Sequence, residues 1–184
     1  MYNFTVNFAG LNINITAIYD YTYNFCKDYL TEGEPDFSVE TTEKKILEEI
    51  EISEFTPPKP YAESICMYRG IAEKLPLYDR FIFHGAAISY NNEGYIFTAP
   101  SGTGKTTHIS LWKKYLGDGV EIINGDKPII QFTENGAVIH STPYAGKEGW
   151  QNHSCAPLKA ICIVNRGEIN TIEKIGFGEH LSDV

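Results

Sequence analysis

The chain has 184 residues, of which 42% are apolar and 21% charged, as in an ordinary globular protein with one main domain. Its formal net charge of −9 excludes a positively charged surface over the whole protein, so we do not expect nucleic acid as a partner. No apolar run approaches the roughly 20 residues of a membrane span, and the first residues do not resemble a secretory leader. The four cysteines form no C-x-x-C pair, and we therefore expect a reducing cytoplasm and no membrane partner.

Residues 1–60 are predicted to form a small α/β lead-in region. Alternation of apolar and polar residues predicts strands, and capping residues predict where helices begin. We expect this region to brace the main block, with partner docking as the alternative. The expected elements are a hairpin over 2–18 that turns at Gly10, a short helix over 23–33, a strand over 35–41, and a charged helix over 41–53 that begins at Thr41 or Thr42.

Residues 61–184 are predicted to form the main block, which follows a linker at 55–60. Three prolines in that linker disfavour both a helix and a central strand. A helix is expected next, because apolar residues over 61–76 recur on one helical face. The further elements expected are strands over 80–90 and 94–100 that form a hairpin, a helix from Lys105 to about Leu116, a strand over 120–126, a hairpin over 129–141 that turns at Asn135-Gly136, and paired strands over 158–167 and 170–175.

The segment APSGTGKT, residues 99–106, matches the phosphate-binding pattern G-x-x-x-x-G-K-[ST], with Ala99 in place of the first glycine. An apolar strand precedes the segment and an amphipathic helix follows it, which is the context that the pattern requires. Glycines bring bare amide groups close to phosphate oxygens, and the helix N-terminus adds a positive dipole. Lysine adds charge at the outer phosphates, and the threonine hydroxyl suits Mg²⁺. The residues expected to bind a nucleotide are Pro100, Ser101, Gly102, Thr103, Gly104, Lys105, Thr106 and Thr107.

A phosphate-binding loop of this kind works with an acidic residue at the end of a neighbouring strand. Asp126 ends the strand predicted over 120–126, and we expect that strand to lie beside the one that enters the loop. Asp118 and Glu121 are alternatives, but both fall near the start of the strand. His84 lies among apolar residues in the preceding strand. It is expected either to be a core residue or to face the phosphates as a donor or proton carrier.

These motifs, in this order, resemble HPr kinase/phosphorylase and its relatives, which share a nucleotide-binding core with ATP-dependent phosphoenolpyruvate carboxykinase. The likeness covers about residues 80–175, and 141–168 also resemble relatives that include kinases of lasso-peptide precursors. The resemblance implies an α/β fold with a mixed sheet and hairpins, together with ATP and Mg²⁺ as cofactors. It also implies Lys105, Asp126 and His84 as catalytic residues and Thr106 and Asp126 as metal ligands. Relatives often assemble, so a homo-oligomer is possible.

Two departures from that family bear on function. The family carries two adjacent aspartates after its third strand, whereas this chain has Gly125-Asp126. Glu148 is a candidate for the missing metal carboxylate, with an ordinary solvated acid as the alternative. Lys147 is expected to be an exposed loop lysine rather than a phosphate ligand. Relatives also continue beyond the strand at 158–167, whereas this chain stops at Val184, so it is either a short member or a truncated one.

The sequence therefore predicts a kinase-like protein that transfers the γ-phosphate of ATP to a hydroxyl group. The acceptor is expected to be a serine of a protein or peptide, or a small molecule. The alternative is an ATP-binding sensor or degenerate module without catalysis, which the missing aspartate favours. Decarboxylation by a carboxykinase proper is not expected, because that enzyme needs additional metal-binding residues that have no counterparts here.

Overall fold

The computed structural model describes residues 1–175, which form a mixed α/β fold. The chain divides into two compact units, Met1–Phe81 and a second that begins at Ile82. Residues 176–184 of the predicted main block lie outside the described residues.

The first unit is built on a four-stranded sheet with the strand order β3-β1-β2-β4. The first two strands form the predicted hairpin, and Ala9 and Gly10 take positive φ angles in its turn. The elements are β1 (Tyr2–Phe8), β2 (Leu11–Ala17), α1 (Asp20–Phe25), a 3₁₀ turn (Lys27–Tyr29), β3 (Leu30–Thr31), β4 (Phe37–Glu40), α2 (Glu43–Ile52) and α3 (Lys59–Lys74).

The boundary between the units differs from the one expected at residue 60, because α3 packs against α1 and α2 of the first unit. Its buried Glu63 accepts hydrogen bonds from the Ile18 and Tyr19 amides and the Thr22 hydroxyl. These bonds fix α3 to the start of α1. The helix therefore belongs to the first unit, although it follows the proline-rich segment.

Two further expectations for the first unit have clear outcomes. The charged helix α2 begins after Thr42, whose hydroxyl accepts a hydrogen bond from the Lys45 amide, so Thr42 is the cap rather than Thr41. The helix expected over 23–33 is wrong, since α1 ends at Phe25 and residues 30–31 pair with β1 instead. Pairing with a distant strand overrides the local helical pattern there.

Six strands of the second unit form a mixed sheet with the order β9-β10-β11-β7-β6-β8. The short strand β5 (Arg80–Ile82) contains the boundary between the units. One long helix, α4, packs on the sheet and buries Ile109 against Phe97 and Val120. The elements are β5 (Arg80–Ile82), β6 (Ala86–Tyr90), β7 (Glu93–Thr98), α4 (Lys105–Leu116), a 3₁₀ turn (Gly117–Gly119), β8 (Val120–Asn124), β9 (Ile129–Thr133), β10 (Gly136–His140) and β11 (Cys155–Ile163).

Strand directions bring three chain segments to one edge of this sheet. Strand β11 is parallel to β7, and β8 is also parallel to β7, because both β7 and β8 pair antiparallel with β6. The carboxyl ends of β7, β8 and β11 therefore meet at the same edge, where ligands bind in many open α/β sheets.

Three predictions for this unit are corrected. The strand expected over 80–90 is two strands, because the Phe83 and Gly85 amides bond to the Pro128 and Asp126 carbonyls instead of continuing the ladder. Strand β8 does not lie beside β7, since β6 separates them. Residues 170–175 form no strand. The hairpin at Asn135-Gly136 and the helix from Lys105 to Leu116 are confirmed.

Candidate functional site

The segment between β7 and α4, residues 99–104, is called here the glycine loop. Gly102 and Gly104 take φ angles of 77° and 114°, which favour glycine. A Cβ atom built at either position would meet nothing within 4 Å, so both glycines border open space. No side chain caps the N-terminus of α4, which begins at Lys105. This conformation combines an open concave surface with a helix end that attracts anions.

The predicted nucleotide-binding residues all lie in or directly after this loop. Thr106 is half-buried in the first turn of α4 and Thr107 is exposed. The loop's own turn is held by a hydrogen bond from the Thr103 amide to the Pro100 carbonyl. At the start of the loop, three of these predicted residues are exposed: Pro100, Ser101 and Gly102.

Lys105 is largely buried, with 9% of its surface exposed, and its Nζ donates to the Ala99 carbonyl at 2.9 Å. The ammonium group thus spans the loop and holds its first residue. Burial is the main cause of the lowered pKa values of His84 and Lys127, and the charge of Lys105 lowers both further. The charges of Lys105, His84 and Lys127 therefore influence one another at the carboxyl edge of the sheet.

His84 and Asp126 form a contact pair, with Nε2 and Oδ1 separated by 3.2 Å. The imidazole is half-exposed, which excludes the core-residue alternative for His84. Its pKa is lowered, first by burial and then by the charges of Lys127 and Lys105, while Asp126 acts in the opposite direction. At neutral pH the imidazole is therefore mainly uncharged and able to accept a proton.

Lys127 is a site residue that sequence reasoning missed. Its Nζ lies 3.7 Å from Asp126 Oδ2, on the other side of that carboxylate from His84. Burial is the main reason why its pKa is lowered, and Lys105 contributes in the same direction. No short motif marks this lysine, because its role depends on the turn that carries Asp126.

That turn is fixed by Asn124, a second residue that the sequence did not single out. Its buried side chain accepts hydrogen bonds from the Asp126 and Lys127 amides at 2.9 and 2.7 Å, and it donates to the Thr142 carbonyl. The Thr142 hydroxyl in turn donates to the Lys127 carbonyl. The network fixes the backbone from which the Asp126 carboxylate projects.

Residues 143–150 pass over the end of β8 and explain why Gly125 is not an acid. The Gly125 amide donates to the Trp150 carbonyl at 2.8 Å, and a Cβ at Gly125 would lie 2.7 Å from the Ala145 oxygen. A side chain therefore has no space at this position. The path of the loop therefore leaves no space for the first of the two adjacent aspartates that the resemblance implies.

The same loop brings another carboxylate towards Asp126. Gly146 has a φ of 77°, and a Cβ at that position would lie 3.2 Å from Asp126 Cβ and 3.9 Å from Glu148 Oε2. Asp126 and Glu148 thus flank the same glycine. Both Glu148 and Lys147 are exposed.

The alternative acids do not reach this edge. Asp118 and Glu121 are exposed near the start of β8, at the opposite end of the strand from Asp126. Among residues 1–175, no group of three or more His, Cys, Asp or Glu side chains has the arrangement of a metal site.

Comparison with known proteins assigns no family. The chain matches no protein-family model, and a search of curated proteins gives no significant match. In the described part of the chain, no helix has the length and apolar character needed to cross a bilayer.

Proposed function

We propose that the protein is an ATP-dependent phosphotransferase whose second unit has a nucleotide-binding core of the HPr kinase/phosphoenolpyruvate carboxykinase type. It would transfer the γ-phosphate to a hydroxyl group of a protein, a peptide or a small molecule. The observation that carries the proposal is the meeting of the open glycine loop, Lys105 and the His84–Asp126 pair at one sheet edge. A cytoplasmic location and a homo-oligomeric state stay predictions.

The residues fit a bound Mg²⁺ and polyphosphate. Mg²⁺ is commonly held by one or two carboxylates together with substrate phosphates. The carboxylates of Asp126 and Glu148 flank the same glycine, Gly146. Thr106, Asp126 and Glu148 would hold the ion. When bound, Mg²⁺ would neutralise charge that develops on the phosphoryl oxygens.

The protein's own groups supply positioning and charge. The amides from Gly102 to Thr106 bind the phosphate oxygens, and Lys105 exchanges its bond to the Ala99 carbonyl for one to an outer phosphate. In the transfer step, the bond between the γ-phosphorus and the ADP oxygen breaks and a bond to the acceptor oxygen forms. In this step the Asp126 carboxylate either holds the ion or accepts the hydroxyl proton, and uncharged His84 orients it.

A second candidate is an ATP-binding module without catalysis. The observation that favours it is the steric exclusion of a side chain at Gly125, which leaves a single acid directly after β8. In this case the glycine loop and Lys105 would bind nucleotide and signal its presence.

Labelled ATP separates the two candidates. The protein is incubated with γ-labelled ATP and Mg²⁺, and both label transfer and hydrolysis are followed for wild type and Lys105→Met, which keeps the apolar stem. Lys114→Ala is the matched control, because Lys114 is exposed on the last turn of the same helix. Phosphoryl transfer or hydrolysis that requires Lys105 supports the phosphotransferase. ATP binding without either reaction supports the binding module, and no binding to wild type refutes both.

A further inference from the structure

A cavity of about 320 Å³ lies beside the glycine loop, on the side that faces β11. Its walls are Pro100–Thr103 on one side and Asn165 with Arg166 on the other. Ligand pockets in proteins commonly begin at about 300 Å³, so the cavity is large enough for part of a small molecule. The function proposed above uses the loop side of this cavity for phosphate binding and assigns no role to Asn165 or Arg166.

Two contacts fix the chain that leaves β11 against this cavity. The Val164 amide donates to the Thr98 carbonyl at 2.8 Å, which extends the parallel pairing of β11 with β7. Arg166 Nη2 donates to the Gly102 carbonyl at 2.7 Å. The guanidinium is therefore held at the loop, although the residue is exposed.

The sheet order places this cavity and the acidic pair on opposite flanks of the glycine loop. Strand β7, which enters the loop, has β11 on one side and β6 on the other, with β8 beyond β6. His84 precedes β6 and Asp126 follows β8, so this pair lies on one side of the loop. Asn165 and Arg166 follow β11 and lie on the other side. A polyphosphate chain lying across the loop would thus have its reacting end at His84–Asp126 and its other end at Arg166.

We propose that the cavity binds the nucleoside end of the nucleotide, with the Arg166 guanidinium packed on the base and Asn165 on its polar edge. This inference rests on the proposed function, because it assumes that the glycine loop holds the polyphosphate. A guanidinium stacks well on aromatic faces, and one bond to Gly102 leaves its planar face available. An asparagine amide is able to pair with the amino group and ring nitrogen of adenine.

The test compares ATP with inorganic tripolyphosphate, which has the phosphates but no nucleoside. Binding of each ligand in the presence of Mg²⁺ is measured by calorimetry for wild type, Arg166→Lys, Arg166→Ala and Asn165→Ala. Arg166→Lys retains the positive charge but removes the planar group. Lys105→Met serves as the phosphate-site reference, and Lys114→Ala serves as the control for loss of a remote charge.

We expect Arg166→Lys and Asn165→Ala to weaken ATP binding about 3- to 30-fold, while tripolyphosphate binding changes less than about twofold. Lys105→Met should weaken both ligands. If the Arg166 variants weaken both ligands equally, or neither, the nucleoside assignment is overturned while the phosphate site stands. If wild type binds neither ligand, the proposed function fails and the inference fails with it.

Discussion

Gly125→Ala tests whether the loop over β8 excludes a side chain where the family pattern has an aspartate. The added Cβ would lie 2.7 Å from the Ala145 oxygen and 3.4 Å from the Trp150 oxygen, both backbone atoms. Contacts below 3.0 Å are essentially never seen for real Cβ atoms. The loop is also bonded to β8 through the Gly125 amide, so it cannot move away without loss of that hydrogen bond. Overpacking of this kind costs about 1–3 kcal/mol.

The assay is thermal unfolding of Gly125→Ala and Gly125→Asp beside wild type. At roughly 2–4 °C per kcal/mol for a chain of this size, we expect Tm to fall by about 2–12 °C. Gly119→Ala is the matched control, since its Cβ would meet only the Tyr90 ring at 3.4 Å, an ordinary contact. If Gly125→Asp is as stable as wild type and binds Mg²⁺ more tightly, the steric reasoning is refuted.

Four further predictions concern other parts of the chain. Glu148→Gln should raise the Mg²⁺ concentration needed for half-maximal ATP binding by about tenfold, whereas Lys147→Ala should leave it unchanged. If the two variants change this concentration equally, Glu148 is not a metal ligand. Burial raises the pKa of Cys26 to about 12, so its thiol should not react with iodoacetamide at pH 8 until the protein unfolds. The exposed Cys155 should be modified in the folded protein, and mass spectrometry would distinguish the two sites. Because the unfolded thiol ionises near pH 9 and the native one does not, Cys26 should reduce stability as pH rises above 9. Glu63→Ala should destabilise the first unit by about 3 kcal/mol in urea unfolding, since it leaves hydrogen-bond donors at the start of α1 without an acceptor. An unchanged midpoint of urea unfolding would show that Glu63 does not stabilise this contact between α3 and α1.

Features that depend on neighbouring residues were predictable from the sequence. The helix Lys105–Leu116 has the predicted bounds because glycine precedes it at Gly104 and ends it at Gly117, both with positive φ. The hairpin turns at Gly10 and Asn135-Gly136 follow the same logic. The open conformation of the glycine loop also follows from a motif whose chemistry requires those residue types.

Features that depend on distant pairing were not predictable. The apolar run around His84 has the pattern of one strand, but its backbone bonds to the turn after Asp126, and this pairing breaks the strand. Asn124 and Arg166 carry no local signal, since their partners lie 18 and 64 residues away. The position of β8 beyond β6 depends on the order of the whole sheet.

Calorimetric titration of the full chain with ATP and Mg²⁺ tests the central claim, that the glycine loop and Lys105 bind the polyphosphate of a nucleotide. We expect saturable binding to wild type and to Lys114→Ala, and binding at least tenfold weaker to Lys105→Met, a loss of about 1.4 kcal/mol or more. Equal affinity in wild type and Lys105→Met, or no binding to wild type, would contradict the claim.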